Sequence, residues 1–311
     1  MTSVSLVASV IPPNQLVYGM QLPIQSQSRI YVEPWELEAG AGDLAAVARK
    51  ADETGFFYIA VCDHVSIPAP LDQKMGDVWY DTVATLGWLA GITEHVRLLS
   101  HVYVVAYRHP LVTAKAFATL DELSGGRAIL GVGAGHVEPE FERLGVDFAG
   151  RGAATDEAVD VLRSVFDGTY QDAGVGPRPR QEHLPIWIGG SSKPALRRAG
   201  ARGDGWLPQG TPKKDMPDSI AYLREARAAA GRADDPIDIG AITGIYYVGE
   251  PTWDVGSWTT MGSGEAIAEQ IRGFAELGVN HAQIRFRSRS LDELLDQMDA
   301  FHVEVAPHLD A

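Results

Sequence analysis

Asp121–His136 reads DELSGGRAILGVGAGH. A helix end meets a Ser-Gly-Gly turn, and a short apolar strand, Arg127 to Val132, then opens into a glycine run. Such an apolar strand fits a parallel sheet covered on both faces. Gly131, Gly133 and Gly135 let the backbone approach a ligand closely with amides free to donate, although a plain tight turn would account for the run taken alone. The dinucleotide fingerprint would need glycine where His136 stands, so a Rossmann reading fails. No GK[ST] phosphate loop is present either.

The same strand-then-helix order repeats along the chain. Strand-like runs occupy Val17–Leu22, Tyr58–Cys62, Val96–Val105, Arg127–Val132, Pro185–Ile188, Gly205–Leu207, Ile237–Val248 and Asn280–Phe286. Helical patterns follow at Asp43–Thr54, Asp81–Thr93, Pro110–Leu123, Arg151–Phe166, Lys193–Ala201, Pro217–Ala230, Gly264–Leu277 and Ser290–His302. Pro110 suits a first helical turn, and Ser290 with Glu293 spells a capping box. Leu111, Ala114, Phe117 and Ala118 share one helix face. Eight β-then-α units predict an α/β fold, a single (β/α)8 TIM barrel with long βα loops. A barrel takes about 250 residues, so a chain of 311 residues is one domain with room for loops. Residues 1–14 read as a loose arm.

Composition narrows the function. The lone Cys62 excludes an intramolecular disulfide and a multi-cysteine metal site, and no metal is expected. A net charge of −15 argues against nucleic acid, whose phosphates demand a basic surface. No run approaches the roughly 20 apolar residues of a membrane span, and the N-terminus lacks the order of a signal peptide. A cytoplasmic protein acting on a small molecule is expected.

Barrel chemistry sits at the C-terminal ends of the strands. There the loops after strands 1, 2 and 7 are long, as lids and binding loops are. They carry Tyr31, Trp35, Trp79, Trp253 and Trp258, of which Trp79, Trp253 and Trp258 are expected to line a substrate pocket. Strand 2 ends in Asp63-His64, a carboxylate beside a group that titrates near neutral pH. Strand 3 runs into Ser100-His101-Val102, and strand 4 delivers His136. Strand 5 enters its helix through Gly189, Gly190, Ser191 and Ser192, where free amides, the helix dipole and two hydroxyls suit a phosphate.

The succession CDHV, then RLLSHVYVVAYRHPLVTAKAFATLDELSGGRAILGVGAGHVEPEFERLGVDFAGRG, then LPIWIGGSSKPALRRAGARGDGWLP resembles the bacterial-luciferase-like oxidoreductase superfamily. The likeness is to the branch that uses the deazaflavin coenzyme F420, and it runs from about Val17 to His302. It implies coenzyme contacts at Ala134, Gly135, His136 and Val137, and a phosphate site at Gly189, Gly190, Ser191 and Ser192. It implies a bulge, often with a non-prolyl cis peptide, near Ser100-His101-Val102 under the ring. It also places Asp63 and His64 near the reactive ring face, with a homodimer as the assembly. The sugar-phosphate dehydrogenase of the superfamily carries a glutamate where this chain has His136, so its acid–base assignment does not transfer. His101 is unusual at the bulge, and either donates to the coenzyme or turns into the substrate pocket. The resulting expectation is hydride transfer between F420 and an organic substrate, with His64, Asp63 and His136 as the catalytic group. The alternatives are an FMN-dependent monooxygenase and a non-catalytic flavin-binding barrel.

Overall fold

The apolar runs pair side by side until the last meets the first. In the computed structural model, which describes residues 9–29, 31–171 and 174–309, the strands are β1 (Val17–Gln21), β2 (Tyr58–Val61), β3 (Arg97–Ser100), β4 (Tyr103–Val104), β5 (Ala128–Gly133), β6 (Ile186–Gly189), β7 (Gly205–Leu207), β8 (Asp238–Val248), β9 (Thr259–Gly262) and β10 (His281–Phe286). β1, β2, β3, β5, β6, β7, β8 and β10 form a parallel barrel, closed where β10 pairs with both β8 and β1. The helices are α1 (Ala41–Glu53), α2 (Asp72–Met75), α3 (Thr82–Ala90), α4 (Pro110–Leu123), α5 (Glu138–Leu144), α6 (Arg151–Phe166), α7 (Lys193–Arg202), α8 (Met216–Ala229), α9 (Gly264–Ala275) and α10 (Leu291–Ala300). The expected (β/α)8 barrel is therefore present. α2 and α5 are additional and lie within loops at the C-terminal mouth.

The barrel interior is filled by large rings set against glycines. A Cβ on Gly19 would lie 2.5 Å from the Tyr58 ring, one on Gly205 2.4 Å from Trp187, and one on Gly240 2.3 Å from His281. Trp187 stacks on His281 with centroids 4.4 Å apart. This is the dense packing expected of an interior in which each ring needs vacant volume opposite it.

Three expectations change in detail. The arm expected to be loose is described from Ser9, and there it is tied down. Ile11 is buried against the interior rings, and the Ser9 hydroxyl lies within hydrogen-bonding distance of the Ile11 carbonyl, at 2.8 Å, and of Asp238. The expected third strand, Val96–Val105, is broken: β3 ends at Ser100, the His101–Val102 peptide is cis, and β4 resumes at Tyr103. Pattern alone could not show the break, because the residues on both sides are equally apolar. Ser290 caps α10 by accepting the Glu293 amide at 3.2 Å, but the Glu293 carboxylate turns to the Arg289 amide and side chain. The capping box is thus only half formed.

His281 and His101 are both enclosed, and burial pushes their pKa values down to about 3 and about 4. An unfolded chain takes up these protons near pH 6.5, whereas the folded one resists until far lower pH. Stability should therefore be fully present above pH 6.5 and fall below it, by about 1.4 kcal/mol per pH unit for each histidine. Denaturant midpoints measured from pH 7 to pH 5 test this. His281→Phe should remove about half the slope, and an unchanged slope would show that His281 is not held neutral.

Candidate active site

Two buried carboxylates organise the C-terminal mouth, and each holds a different kind of partner. Glu140 reaches from α5 into the loop after β2. Its Oε2 meets His64 Nδ1 at 2.9 Å and accepts the Tyr107 hydroxyl at 2.9 Å. Its Oε1 accepts the amides of Ser66, at 2.9 Å, and Val65. Burial alone would raise its pKa, but His64 and the two amides bring it down to about 2. The carboxylate is therefore ionised and acts only as an acceptor, which places a proton on His64 Nδ1, so that in the neutral imidazole the lone pair is on Nε2. The imidazole stands against Trp79, with centroids 4.4 Å apart, and 5.7 Å from the ring of His136. Burial, then proximity to His64, lowers the pKa of His136.

Asp63 takes the other partner. Arg108 grips it through two bonds of 2.6 and 2.8 Å, and Asp63 accepts the Val104 amide at 2.8 Å. Arg108 also lies over the Tyr103 ring at 4.1 Å. Asp63 thus anchors the chain just beyond the break between β3 and β4. Asp63, expected in the catalytic group with His64, is not the carboxylate that holds that imidazole: Glu140 is.

At the break, Val102 wedges between two strands. A Cβ on Gly133 would lie 2.3 Å from Val102 Cγ2, and one on Gly189 2.4 Å from Val102 Cγ1. Ser100 clasps Gly131 in both directions, its hydroxyl donating to the carbonyl at 2.9 Å and accepting the amide at 3.0 Å. Much of the glycine run therefore makes room for the third strand. His101 is buried beside the break, and neither ring nitrogen has a hydrogen-bond partner among the described residues.

The β6–α7 junction supplies the anion cradle. Gly190 has φ +107°, its amide donates to the Leu207 carbonyl, and its carbonyl accepts the Trp206 indole at 2.8 Å. The hydroxyls are already occupied: Ser191 bonds with Gln209 and Thr211, and Ser192 caps α7 through the Ala195 amide. The backbone amides of Ser191, Ser192 and Lys193, by contrast, donate to no group among the described residues, and they open the ten residues of α7. Together with the orphaned nitrogens of His101, these amides fit a group that is anionic at one end and carries a polar ring at the other.

The structure gathers His64, His136, Trp79, Ser100, His101, Val102 and the Ala134–Val137 loop around one mouth. The other two tryptophans make no ring contact with His64 or His136 among the described residues. Trp253 donates to Glu293 at 3.0 Å and lies under Arg289, while Trp258 is 86% exposed. Sequence reasoning missed Glu140 and Tyr107 as site residues. The one available signal for Glu140 is Phe141, a large apolar side chain within an otherwise acidic stretch.

The chain belongs to the luciferase-like monooxygenase family, whose model matches residues 18–255. The 5,10-methylenetetrahydromethanopterin reductase of Methanopyrus kandleri is 29% identical over 225 residues, 64% of this chain and 61% of the reductase. An F420-dependent secondary alcohol dehydrogenase, solved with an F420-acetone adduct, superposes with a TM-score of 0.76 at 19% identity, over 95% of this chain and 99% of that one. The oxygenating constituent of the 3,6-diketocamphane monooxygenase of Pseudomonas putida, solved with FMN, gives a TM-score of 0.73 at 15% identity, over 94% and 98%. At these identities the two structures speak for the fold. The family makes the protein an oxidoreductase.

Removing the Glu140 carboxylate should strip acceptors from a phenol, an imidazole and two amides at once. Glu140→Ala is expected to cost about 3–5 kcal/mol in denaturant unfolding, the range for breaking a buried charged contact. Glu140→Gln keeps one acceptor oxygen and should cost less. Equal, small losses in both variants would show that the loop after β2 does not depend on this residue.

Proposed function

We propose that the protein is a coenzyme F420-dependent oxidoreductase that moves a hydride between the coenzyme and an organic substrate, with His64 handling the accompanying proton. The observation that carries this reading is the His64–Glu140 pair at the barrel mouth, with Nδ1 held by a carboxylate and Nε2 left free. Interconverting an alcohol and a carbonyl, or reducing an activated double bond, moves a proton as well as a hydride. A histidine oriented by an ionised carboxylate suits that task. The reductase of Methanopyrus kandleri supports the coenzyme assignment through sequence likeness over more than half of both chains.

The bound coenzyme would supply the two-electron chemistry, and the chain supplies placement and proton handling. The amides of Ser191, Ser192 and Lys193 would hold the phosphate. The break at His101–Val102 and the Ala134–Val137 loop would border the ring and its side chain. In the oxidative direction His64 Nε2 takes the substrate hydroxyl proton, and the Glu140 charge stabilises the resulting imidazolium. In the reductive direction the same nitrogen returns a proton. Trp79 packs against His64 and shields it from water. The runner-up is an FMN-dependent monooxygenase, supported by the FMN-containing neighbour of the same fold and by a cradle that suits either phosphate.

Fluorescence titration with F420 and, separately, with FMN tests the cofactor. Micromolar binding of F420 alone is expected, and binding of FMN alone would establish the runner-up. His64→Ala should lower kcat by roughly 10²–10⁴ with coenzyme affinity unaltered, measured on whichever alcohol, ketone or activated alkene turns over. Retention of more than a third of the activity, with a hundredfold loss in His136→Ala, would move the proton-handling role to His136.

A further inference from the structure

Above the interior rings the mouth carries a cation with spare hydrogen-bonding capacity. On β10, Ala282, Ile284 and Phe286 enter the outer core, which turns His281, Gln283 and Arg285 inward by the two-residue period of a strand. His281 lies among the interior rings. Arg285, near the C-terminal end of the strand, is therefore at the mouth. From there its charge acts on the Cys62 thiol, the residue that leads into Asp63-His64. Its side chain is 26% exposed, so it still faces open space.

Arg285 is only lightly tied to the protein. Nη2 donates to the Tyr31 carbonyl, and the guanidinium lies 5.4 Å from the Tyr31 ring. Nε and Nη1 have no acceptor among the described residues. The nearest carboxylate, Glu36, forms an ion pair with Nη2 at 3.7 Å, too long for a hydrogen bond. Both of its oxygens are already committed, Oε1 to the Glu33 amide and Oε2 to the Ile24 amide, each at 3.0 Å. The neighbouring Arg287 shows the contrasting arrangement: it meets Glu33 at 2.6 Å and donates to Thr259 at 3.3 Å. One arginine has a hydrogen-bonded counter-charge, and the one beside it does not.

We propose that Arg285 anchors the substrate and that the substrate is an organic acid, whose carboxylate takes the free Nε and Nη1 donors. This deepens the oxidoreductase reading and rests on it. A planar guanidinium matches a carboxylate in geometry and charge, and in the mouth a cation whose ion pair with Glu36 is too long for a hydrogen bond keeps donors for an anion. The acid group is held on the β10 side, which leaves the reacting carbon between His64 and the ring.

Calorimetric titration with hydroxycarboxylates of three to eight carbons and their neutral primary amides tests this, on the full chain with and without F420. At least one acid should bind tenfold or more tightly than its amide. Arg285→Gln, which can still donate to the Tyr31 carbonyl, should reduce that preference to twofold or less, and Arg287→Met should keep it. Arg285→Lys keeps the charge and serves if the glutamine variant fails to fold; it should retain part of the preference. Equal binding of acid and amide by the wild type would overturn the proposal. So would Arg285→Gln weakening acids and amides alike, which would make Arg285 only an anchor for the Tyr31 loop. A tenfold loss of F420 affinity in Arg285→Gln would assign the arginine to the coenzyme instead. Because acid binding is read without F420 as well, failure here is distinct from failure of the cofactor assignment.

Discussion

Val102 can occupy its place only because Gly133 and Gly189 have no side chains. The third barrel strand must break near its C-terminal end for the chain to bend around the mouth, and the side chain just past the break needs volume. That volume comes from the two neighbouring strands, each giving up a Cβ that would otherwise lie within 2.5 Å of Val102. Close packing makes such space a shared property of several strands. A substitution at either glycine would therefore be felt in the Asp63–Arg108 clamp, in the Ala134–Val137 loop and at the entry to α7 together.

The architecture is legible in the sequence because closing a barrel demands the same unit eight times, and each unit leaves its own periodic trace. The site is legible only where function and backbone geometry coincide. The glycine run stands out at once, but for a reason only partly foreseen: Gly131 and Gly133 face protein rather than ligand. Asp63 and His64 are neighbours in the chain, which suggests a couple. In an extended segment, however, successive side chains point to opposite sides, so adjacency itself argues against Asp63 orienting His64. The partner of His64 comes from a different loop.

Glu140 is hard to read for a related reason. It stands in HVEPEFERL, where Glu138, Glu140 and Glu142 would all pass for a solvated acidic face. Only the turn of α5, set by the buried Phe141 beside it, sends Glu140 inward while Glu138 and Glu142 stay exposed. The aromatic loop residues mislead in the opposite direction. Trp253 looks like a lid, yet its indole N–H finds Glu293 at the start of α10 and the ring becomes part of the wall.

The two buried carboxylates separate positioning from chemistry. Asp63 is paired with an arginine, a cation that stays charged throughout the physiological range, so that contact cannot exchange a proton and serves to hold the backbone. Glu140 is paired with an imidazole, which can gain or lose one. Exchanging the partners would leave the net charge of the mouth unaltered and abolish its proton-handling capacity. What equips the mouth for acid–base work is therefore which cation each carboxylate meets. That choice is made by α5 and by the break in the third strand, neither of which belongs to the repeating barrel unit.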